Sequence, residues 1–215
     1  MNMATKSTFT TELDTIRADA ITLDSDDAIL AKDWASIDTE YKAKLAIMHT
    51  IKHRWQAIHA DVADYVPSGS SILDLGCGDK EILNTITCDD YHGVDVNLAA
   101  DEVHDLDGSL LTFDRTWDIG LLVEVLQFVE DPGRLLNHYK QYATNWVLTI
   151  RPVTEENIAF RESRVTFKNG WTRDEWVVFL NEHFASVTVS DVIFTDIVTY
   201  GTGFPKPFLI GVCTP

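Results

Sequence analysis

The sequence predicts an α/β protein whose sheet is doubly wound and mostly parallel, with helices on both faces. Short apolar segments typical of buried strands alternate with helical segments after residue 66. A turn with two glycines, Gly76 and Gly78, directly follows the first of these strands. The last two strand segments have no helix between them, which predicts an antiparallel pair at one edge of the sheet.

The predicted elements follow one another closely along the chain. The strand segments are rich in Val, Ile and Leu, and lie at residues 71–76, 91–97, 117–123, 146–150, 186–194 and 208–213. The helices lie at residues 79–87, 132–145 and 172–184. The last helix starts with a capping box, because Thr172 and Glu175 can each bond the other's free backbone N–H group.

The first part of the chain has a different pattern. Residues 1–38 are polar and rich in Asp, whereas apolar residues recur every three or four positions from Tyr41 to Tyr65. That period predicts an amphipathic helix, which the sequence PSGS at 67–70 ends. We therefore predict an N-terminal helical cap at residues 1–66, lying over the ligand site, and a main domain at residues 67–215.

Charge and cysteine content argue against several classes of function. The formal net charge is -17 and the pI is near 4.6. Because phosphate backbones and anionic membranes attract Lys and Arg, this composition argues against nucleic acid or a membrane as partner. The three cysteines are scattered and odd in number, so we predict neither a disulfide framework nor a zinc site, and a cytoplasmic location.

The glycine turn is the first candidate site. Ligands of doubly wound sheets bind beyond the carboxyl ends of the strands, and glycines let a ligand approach the backbone closely. Asp95 lies 17 positions after Gly78, at the end of the next predicted strand, where a carboxylate can accept bonds from ribose hydroxyls. The alternative is a tight strand-to-helix turn without a ligand.

The residues after the turn favour a nucleoside without phosphates. A dinucleotide site has a third glycine where this chain has Glu81. Asp79 and Glu81 also place negative charge at the start of the predicted helix, where it would repel a pyrophosphate. A nicotinamide-dependent oxidoreductase is therefore the less favoured alternative.

Five segments resemble, in order, the motifs of the class I S-adenosylmethionine-dependent methyltransferases. They are ILDLGCGD at 72–79, GVDVN at 93–97, VHDLDG at 103–108, WDIGLLVEVLQFVEDPGRLL at 117–136 and GWTRDEWVVFL at 170–180. The resemblance implies a Rossmann-like, seven-stranded sheet with an antiparallel last strand. It also implies S-adenosylmethionine as cofactor, S-adenosylhomocysteine as product, and in-line methyl transfer.

The resemblance also implies roles for individual residues. The glycine turn would line the methionine part of the cofactor, with Asp74 near its amino group, although Asp74 can equally cap backbone donors of the turn. Asp105 and Leu106 would flank adenine, unless Asp107 shifts that register. Glu124 would lie at the mouth of the site or simply begin the next helix. The implied cofactor-binding set is Asp74, Gly76, Cys77, Gly78, Asp95, Val96, Asp105, Leu106 and Glu124.

The acceptor side is less defined by the sequence. Where the family often has Glu-His, this chain has Gln127-Phe128, and an amide does not shuttle protons at neutral pH. Glu124 and Gln127 remain the only catalytic candidates. The histidines form no metal-ligand spacing, so we assign no metal. Candidates for the acceptor pocket, each of which can instead belong to the core or its cover, are Trp34, Tyr41, Arg151, Trp171 and Tyr200.

These observations predict a methyltransferase with a small-molecule acceptor. The principal alternative is an S-adenosylmethionine-binding module or partner subunit without catalysis, which the Gln127-Phe128 replacement keeps open. The sequence further predicts that Gly76→Val would abolish cofactor binding while leaving the fold largely intact.

Overall fold

The computed structural model describes residues 55–153, 168–194 and 206–215. Its strands are β1 Ser70–Leu75, β2 Cys88–Asp95, β3 Glu102–Val103, β4 Trp117–Val123, β5 Ala143–Ile150, β6 Ser186–Phe194 and β7 Lys206–Thr214. Its α-helices are α1 at residues 55–63, α2 Pro132–Tyr139 and α3 Arg173–His183, and two short 3₁₀ helices cover Glu81–Asn84 and Lys140–Tyr142.

The seven strands form one sheet in the order β3-β2-β1-β4-β5-β7-β6. Strands β1 to β5 pair in parallel, whereas β7 lies antiparallel between β5 and β6. The predicted mostly parallel sheet with an antiparallel last strand is confirmed. The strand that periodicity alone did not reveal is β3, because two residues are too few to show an alternation.

Helices cover both faces of the sheet, as predicted. On one face, Ile58 and Val62 of α1 belong to a buried cluster with Ile72 of β1 and Leu121 of β4. On the other face, α2 and α3 pack over a second cluster that includes Trp146 of β5. The sheet core is therefore apolar on both sides, which explains why β1 and β4 appear in the sequence as nearly continuous apolar runs.

Two predicted helices are shorter than the sequence suggested. The segment 79–87 forms only the 3₁₀ helix Glu81–Asn84, because Lys80 adopts a left-handed φ of 64° that no regular helix accommodates. The segment 132–145 leaves the helix after Tyr139, and β5 begins at Ala143, which pairs with Trp117 of β4. Tertiary strand pairing here overrides local helix propensity.

The ends of α2 and α3 are fixed by their caps. The Asp131 side chain accepts a 2.8 Å hydrogen bond from the backbone N–H of Arg134, and Pro132 occupies the first turn of α2. Thr172 and Glu175 form the predicted capping box of α3. Within the described ranges, no helix has the length and apolar character needed to cross a membrane. Residues 1–54, most of the predicted cap, lie outside the described residues.

Candidate functional site

The candidate site lies at the carboxyl end of β1, beside the point where the strand order reverses between β1 and β4. Strand β1 ends at Leu75 and passes directly into Gly76, Cys77 and Gly78. Gly76 and Gly78 have φ values of +84° and +56°, so both occupy the left-handed region that L side chains rarely adopt. The turn is thereby bent back over the ends of β1 and β2.

The two glycines serve different purposes. A Cβ atom on Gly76 would lie 2.3 Å from Cγ2 of Val125, so Gly76 lets the turn pack against the loop after β4. A Cβ atom on Gly78 would have no described atom within 4 Å, so Gly78 faces open space. Gly76→Val would therefore disturb this packing, so we expect it to destabilise the fold as well as to affect the site.

This difference predicts unequal costs for two alanine substitutions. We expect Gly76→Ala to destabilise the protein by roughly 2–4 kcal/mol, because it combines a left-handed backbone with overlap on Val125. We expect Gly78→Ala to cost only about 1 kcal/mol. Urea unfolding measures both, and Gly69→Ala is the matched control, since Gly69 has a φ of +82° with no contact closer than 3.5 Å. Equal costs for all three variants would contradict this account.

Asp95 at the end of β2 holds the glycine turn in place. Its Oδ2 accepts a 2.9 Å hydrogen bond from the backbone N–H of Gly78, and its Oδ1 accepts a 2.8 Å bond from that of Asn97. The two residues that the sequence placed 17 positions apart are thus in direct contact. Each carboxylate oxygen retains a second lone pair, so Asp95 can still accept bonds from a ligand.

A second tie joins the turn to the β2–β3 connection. Lys80 forms a 2.5 Å ion pair with Asp101, whose other carboxylate oxygen accepts a 2.8 Å bond from the backbone N–H of Gly93. The backbone N–H of Asp101 in turn donates to the carbonyl of Gly93. The turn and the β2–β3 connection are therefore held together by ionic and backbone contacts.

Asp74 is a buried carboxylate with one unused oxygen. It is 2% exposed, and its Oδ2 accepts a 2.6 Å hydrogen bond from the hydroxyl of Tyr91. Among the described residues, Oδ1 is buried without a hydrogen-bond partner. Burial, reinforced by Asp95 and opposed by the Tyr91 bond, raises the pKa of Asp74 to about 7. Because a buried carboxylate requires partners, this oxygen is matched to a cationic or hydrogen-donating ligand group.

Cys77 presents a neutral thiol beside Asp74. Burial and the nearby Asp74 raise the pKa of the Cys77 thiol to about 12, so no reactive thiolate forms at neutral pH. A Cβ atom on Gly93 would lie 2.7 Å from the Cys77 sulfur, which means that Gly93 makes room for this side chain. Cys77 therefore lines the turn and does not act as a nucleophile.

In the segment after β3, Asp105 and Asp107 are the two alternatives for the acid beside adenine. Their surroundings in the structure differ. Asp105 is exposed, and its side chain accepts a local 2.9 Å bond from the backbone N–H of Asp107. Partial burial opposes ionisation of Asp107, but hydrogen bonds from Lys168 and the backbone of Glu130 hold its pKa below the usual range. Asp107 is thus engaged within the protein, and Asp105 is the acid that remains exposed.

Two apolar residues accompany these acids. Val96, directly after Asp95, is 66% exposed, although β-branched apolar side chains are usually buried. Leu106 is half-buried and packs against the core cluster on the α2–α3 face. An exposed valine beside a carboxylate matches a flat apolar ligand group such as a purine. Assignment of Val96, Asp105 and Leu106 to adenine stays a prediction.

Glu124 begins the loop after β4 in a left-handed conformation with a φ of 59°. Its backbone N–H donates 3.0 Å bonds to the carbonyl and the hydroxyl of Thr149 on β5. Its carboxylate, 1% exposed, forms an ion pair with Arg151 and accepts a 3.1 Å bond from the Gln127 amide. Both sequence-based catalytic candidates therefore belong to one buried cluster, with the Arg151 guanidinium as its cation.

The loop after β4 is also fixed from a distant part of the chain. The Asn169 amide donates 3.1 and 2.6 Å bonds to the carbonyls of Leu126 and Val129. The backbone N–H groups of Lys168 and Asn169 both donate to the carbonyl of Gln127. Sequence reasoning missed Asn169, because nothing in KNG at 168–170 indicates which loop it serves.

The proposed acceptor-pocket residues are only partly observable. Trp34, Tyr41 and Tyr200 lie outside the described residues. Trp171 packs on Trp176 and Phe179 at ring separations of 4.5 and 4.9 Å, so much of its surface belongs to the cover of the core. Its role in a pocket stays a prediction. In the described part of the chain, no cluster of His, Cys, Asp and Glu could hold a metal ion.

The sheet order and the position of the site together define the fold. A seven-stranded sheet with an antiparallel β7 between β5 and β6, and a glycine turn after β1, is the fold of the class I S-adenosylmethionine-dependent methyltransferases. Neither a protein-family model nor a curated protein sequence matches the chain. Solved structures with this fold do match.

Three of these structures illustrate the range. One belongs to a complex between the Haloferax volcanii Trm112 methyltransferase activator and a methyltransferase (16% identity, 83% of this chain and 99% of that chain covered, TM-score 0.56). Magnesium protoporphyrin IX methyltransferase of Synechocystis, with bound S-adenosylhomocysteine, is 14% identical over 83% and 89% of the two chains, with a TM-score of 0.54. The [4+2]-cyclase SpnF is 13% identical over 75% and 81%, with a TM-score of 0.55. At these identities the likeness shows the fold alone.

Proposed function

We propose that this chain binds S-adenosylmethionine and transfers its methyl group to a small-molecule acceptor. The observation that carries the proposal is the unused, buried Oδ1 of Asp74 beside a left-handed glycine turn. A methionine ammonium group would supply the missing donor and the compensating charge. A dinucleotide has no ammonium group, and its pyrophosphate would lie against the acidic turn residues Asp79 and Glu81.

The described residues fit the remaining parts of this cofactor. We assign the ribose hydroxyls to Asp95, which bonds the turn at Gly78, and the sugar and sulfur to the open space at Gly78. Val96, Asp105 and Leu106 would surround the adenine. The cofactor, when bound, supplies an electrophilic methyl group on a sulfonium, and the protein supplies orientation and a dry, polar environment.

The acceptor side favours a nucleophile that reacts without a strong protein base. The Glu124 carboxylate already binds Arg151 and Gln127, so its oxygens are engaged within the protein. Gln127 itself has no titratable group. We therefore propose that Glu124, Gln127 and Arg151 shape the pocket, and that the acceptor is a group with a free lone pair that need not lose a proton first. The bound cofactor would supply the methyl group and would leave as a thioether.

Our proposal for the acceptor rests on the net charge of the chain and on its N-terminal segment. The net charge of -17 disfavours a phosphate-rich acceptor, so we favour a small molecule, handled in the cytoplasm. Among the proteins of the same fold, one acts on magnesium protoporphyrin IX. We further propose that Trp34 and Tyr41, which lie in the N-terminal segment, contribute to the acceptor pocket.

A second candidate function is a binding module without methyl transfer. The Gln127-Phe128 replacement favours it. A protein of the same fold is named a [4+2]-cyclase, so the fold also serves reactions other than methyl transfer. A shared fold does not establish a shared reaction, so the two functions must be separated by experiment.

The test combines binding and turnover on the whole chain. We expect calorimetry to detect S-adenosylhomocysteine in the micromolar range and no binding of NAD. We expect radiolabelled methyl transfer to at least one member of a panel of small-molecule acceptors, with RNA and protein as comparison acceptors. Binding without turnover on any acceptor would favour the module. Binding of NAD but not of S-adenosylhomocysteine would overturn the proposal.

A further inference from the structure

Tyr91 on β2 reaches across to the functional carboxylate on β1. In the parallel register, Tyr91 pairs with Ile72, whereas Asp74 pairs with Gly93. The Tyr91 hydroxyl therefore reaches along the strand, over Gly93, to contact Asp74. Gly93 makes this possible, because a Cβ atom there would lie 3.0 Å from the Tyr91 ring and 2.7 Å from the Cys77 sulfur. The ring therefore occupies the space that a side chain at position 93 would fill.

The hydrogen bond from Tyr91 divides the two oxygens of Asp74. Oδ2 is taken by the tyrosine at 2.6 Å, whereas Oδ1 has no partner among the described residues. A carboxylate held through one oxygen cannot rotate freely, so the direction in which Oδ1 points is fixed before any ligand arrives. Such preorganisation lowers the cost of binding, because less freedom is lost when the ligand binds.

Resting on the proposed function, we propose that Tyr91 is a positioning residue that aims Asp74 at the ligand's ammonium group and so selects ligands that carry an amino acid. Tyr91 need not touch the ligand itself. The proposal concerns recognition of the amino acid end, and it leaves the binding of ribose and adenine to Asp95 and the β3 region.

The charges around Asp74 agree with this role. Asp95 repels the charged form of Asp74, and the neighbouring Cys77 is a neutral thiol, so neither favours ionisation. From β4, the residue paired with Asp74 is the apolar Leu121. Tyr91 stays protonated, because burial and Asp74 raise its pKa, and its hydrogen bond lowers the pKa of Asp74. Tyr91 thus holds Asp74 nearer to the ionised form that an ammonium requires.

The test compares two ligands on the full chain. S-adenosylhomocysteine carries the amino acid, whereas 5′-methylthioadenosine keeps the adenosine and sulfur but lacks it. For Tyr91→Phe, we expect a loss of about tenfold in affinity for S-adenosylhomocysteine at pH 7, the size of one hydrogen bond to a charged group. We expect affinity for 5′-methylthioadenosine to be unchanged. The pH midpoint of S-adenosylhomocysteine binding should move upward, because Asp74 loses a bond that favours its charged form.

A double variant shows whether Tyr91 acts through Asp74. In an Asp74→Asn background, we expect Tyr91→Phe to cause no further loss of S-adenosylhomocysteine affinity. Equal losses for both ligands, or normal S-adenosylhomocysteine binding by a folded Tyr91→Phe protein, would overturn the inference while leaving the proposed function standing. If the wild-type protein bound neither ligand, the proposed function would fail, and this inference with it.

Discussion

Replacing Asp74 by asparagine is expected to weaken S-adenosylhomocysteine binding by about 100-fold or more at pH 8, while stabilising the ligand-free protein. An amide keeps the shape of the side chain and can still accept the Tyr91 bond, but it offers no charge to an ammonium group. Loss of one buried charged partner costs about 3 kcal/mol or more, which corresponds to the stated loss of affinity.

The gain in stability follows from the direction of the pKa shift. Burial raises the pKa of Asp74 from 3.8 to about 7, so between these values the folded state holds a proton that the unfolded state releases. Stability from this group is therefore present at low pH and is lost as the pH rises towards 7. Above pH 7 the buried charge costs on the order of 4 kcal/mol, and asparagine removes that cost.

Thermal unfolding without ligand measures this effect. We expect Asp74→Asn to raise the melting temperature by several degrees at pH 8 and by much less at pH 5. Asp90→Asn is the matched control, because Asp90 lies on β2 in an exposed ion pair with Arg115 and should change neither stability nor binding appreciably. A destabilised Asp74→Asn protein with normal affinity would refute both the charge and the role assigned to Asp74.

In the wild-type protein, titration of Asp74 should appear as a pH dependence of the affinity for S-adenosylhomocysteine. Since an ammonium requires the carboxylate, the affinity for S-adenosylhomocysteine should fall by up to tenfold for each pH unit below about 7. The Asp74→Asn protein should show no such dependence over this range. A flat profile in the wild-type protein would mean that Asp74 does not contact the ligand's charge.

The sequence predicts the layered fold well, because that prediction rests on alternation of apolar strands and capped helices. The capping box of Thr172 and Glu175 and the strand at 186–194 appear in the structure as predicted. The failures are local. Lys80 is left-handed, and no residue type at that position indicates it, so the helix predicted at 79–87 shrinks to one 3₁₀ turn.

The site was only partly predictable, for a different reason. The contact between Gly78 and Asp95 follows from the topology, since both lie at the carboxyl ends of neighbouring parallel strands. The role of Tyr91 depends on strand register, and that of Arg151 depends on a partner far away in the sequence. Hydrophobic periodicity predicts neither kind of contact. Likewise, the sequence shows Gly76 and Gly78 as equivalent, and only the position of Val125 distinguishes them.

Arg151→Met is expected to destabilise the protein by about 3–5 kcal/mol, the cost of leaving a buried charge without its partner. The Glu124 side chain is 1% exposed and the Arg151 side chain 13%, so the pair is largely shielded from solvent. Methionine keeps an apolar contact with Phe208, whose ring centre lies 5.1 Å from the guanidinium carbon. The loss therefore reports on the charge more than on packing.

Two further variants separate charge from geometry. Arg173→Met breaks an exposed pair with Asp191, in which the side chains are 46% and 47% exposed, and should cost much less than Arg151→Met. Glu124→Gln combined with Arg151→Met should recover much of the lost stability in urea unfolding, because no charge then remains buried. If Arg151→Met cost no more than Arg173→Met, the cluster would contribute little to stability. The left-handed φ of 59° at Glu124 would then have to be held by its remaining contacts, which are the bonds from its N–H to Thr149 and the bond from the Gln127 amide.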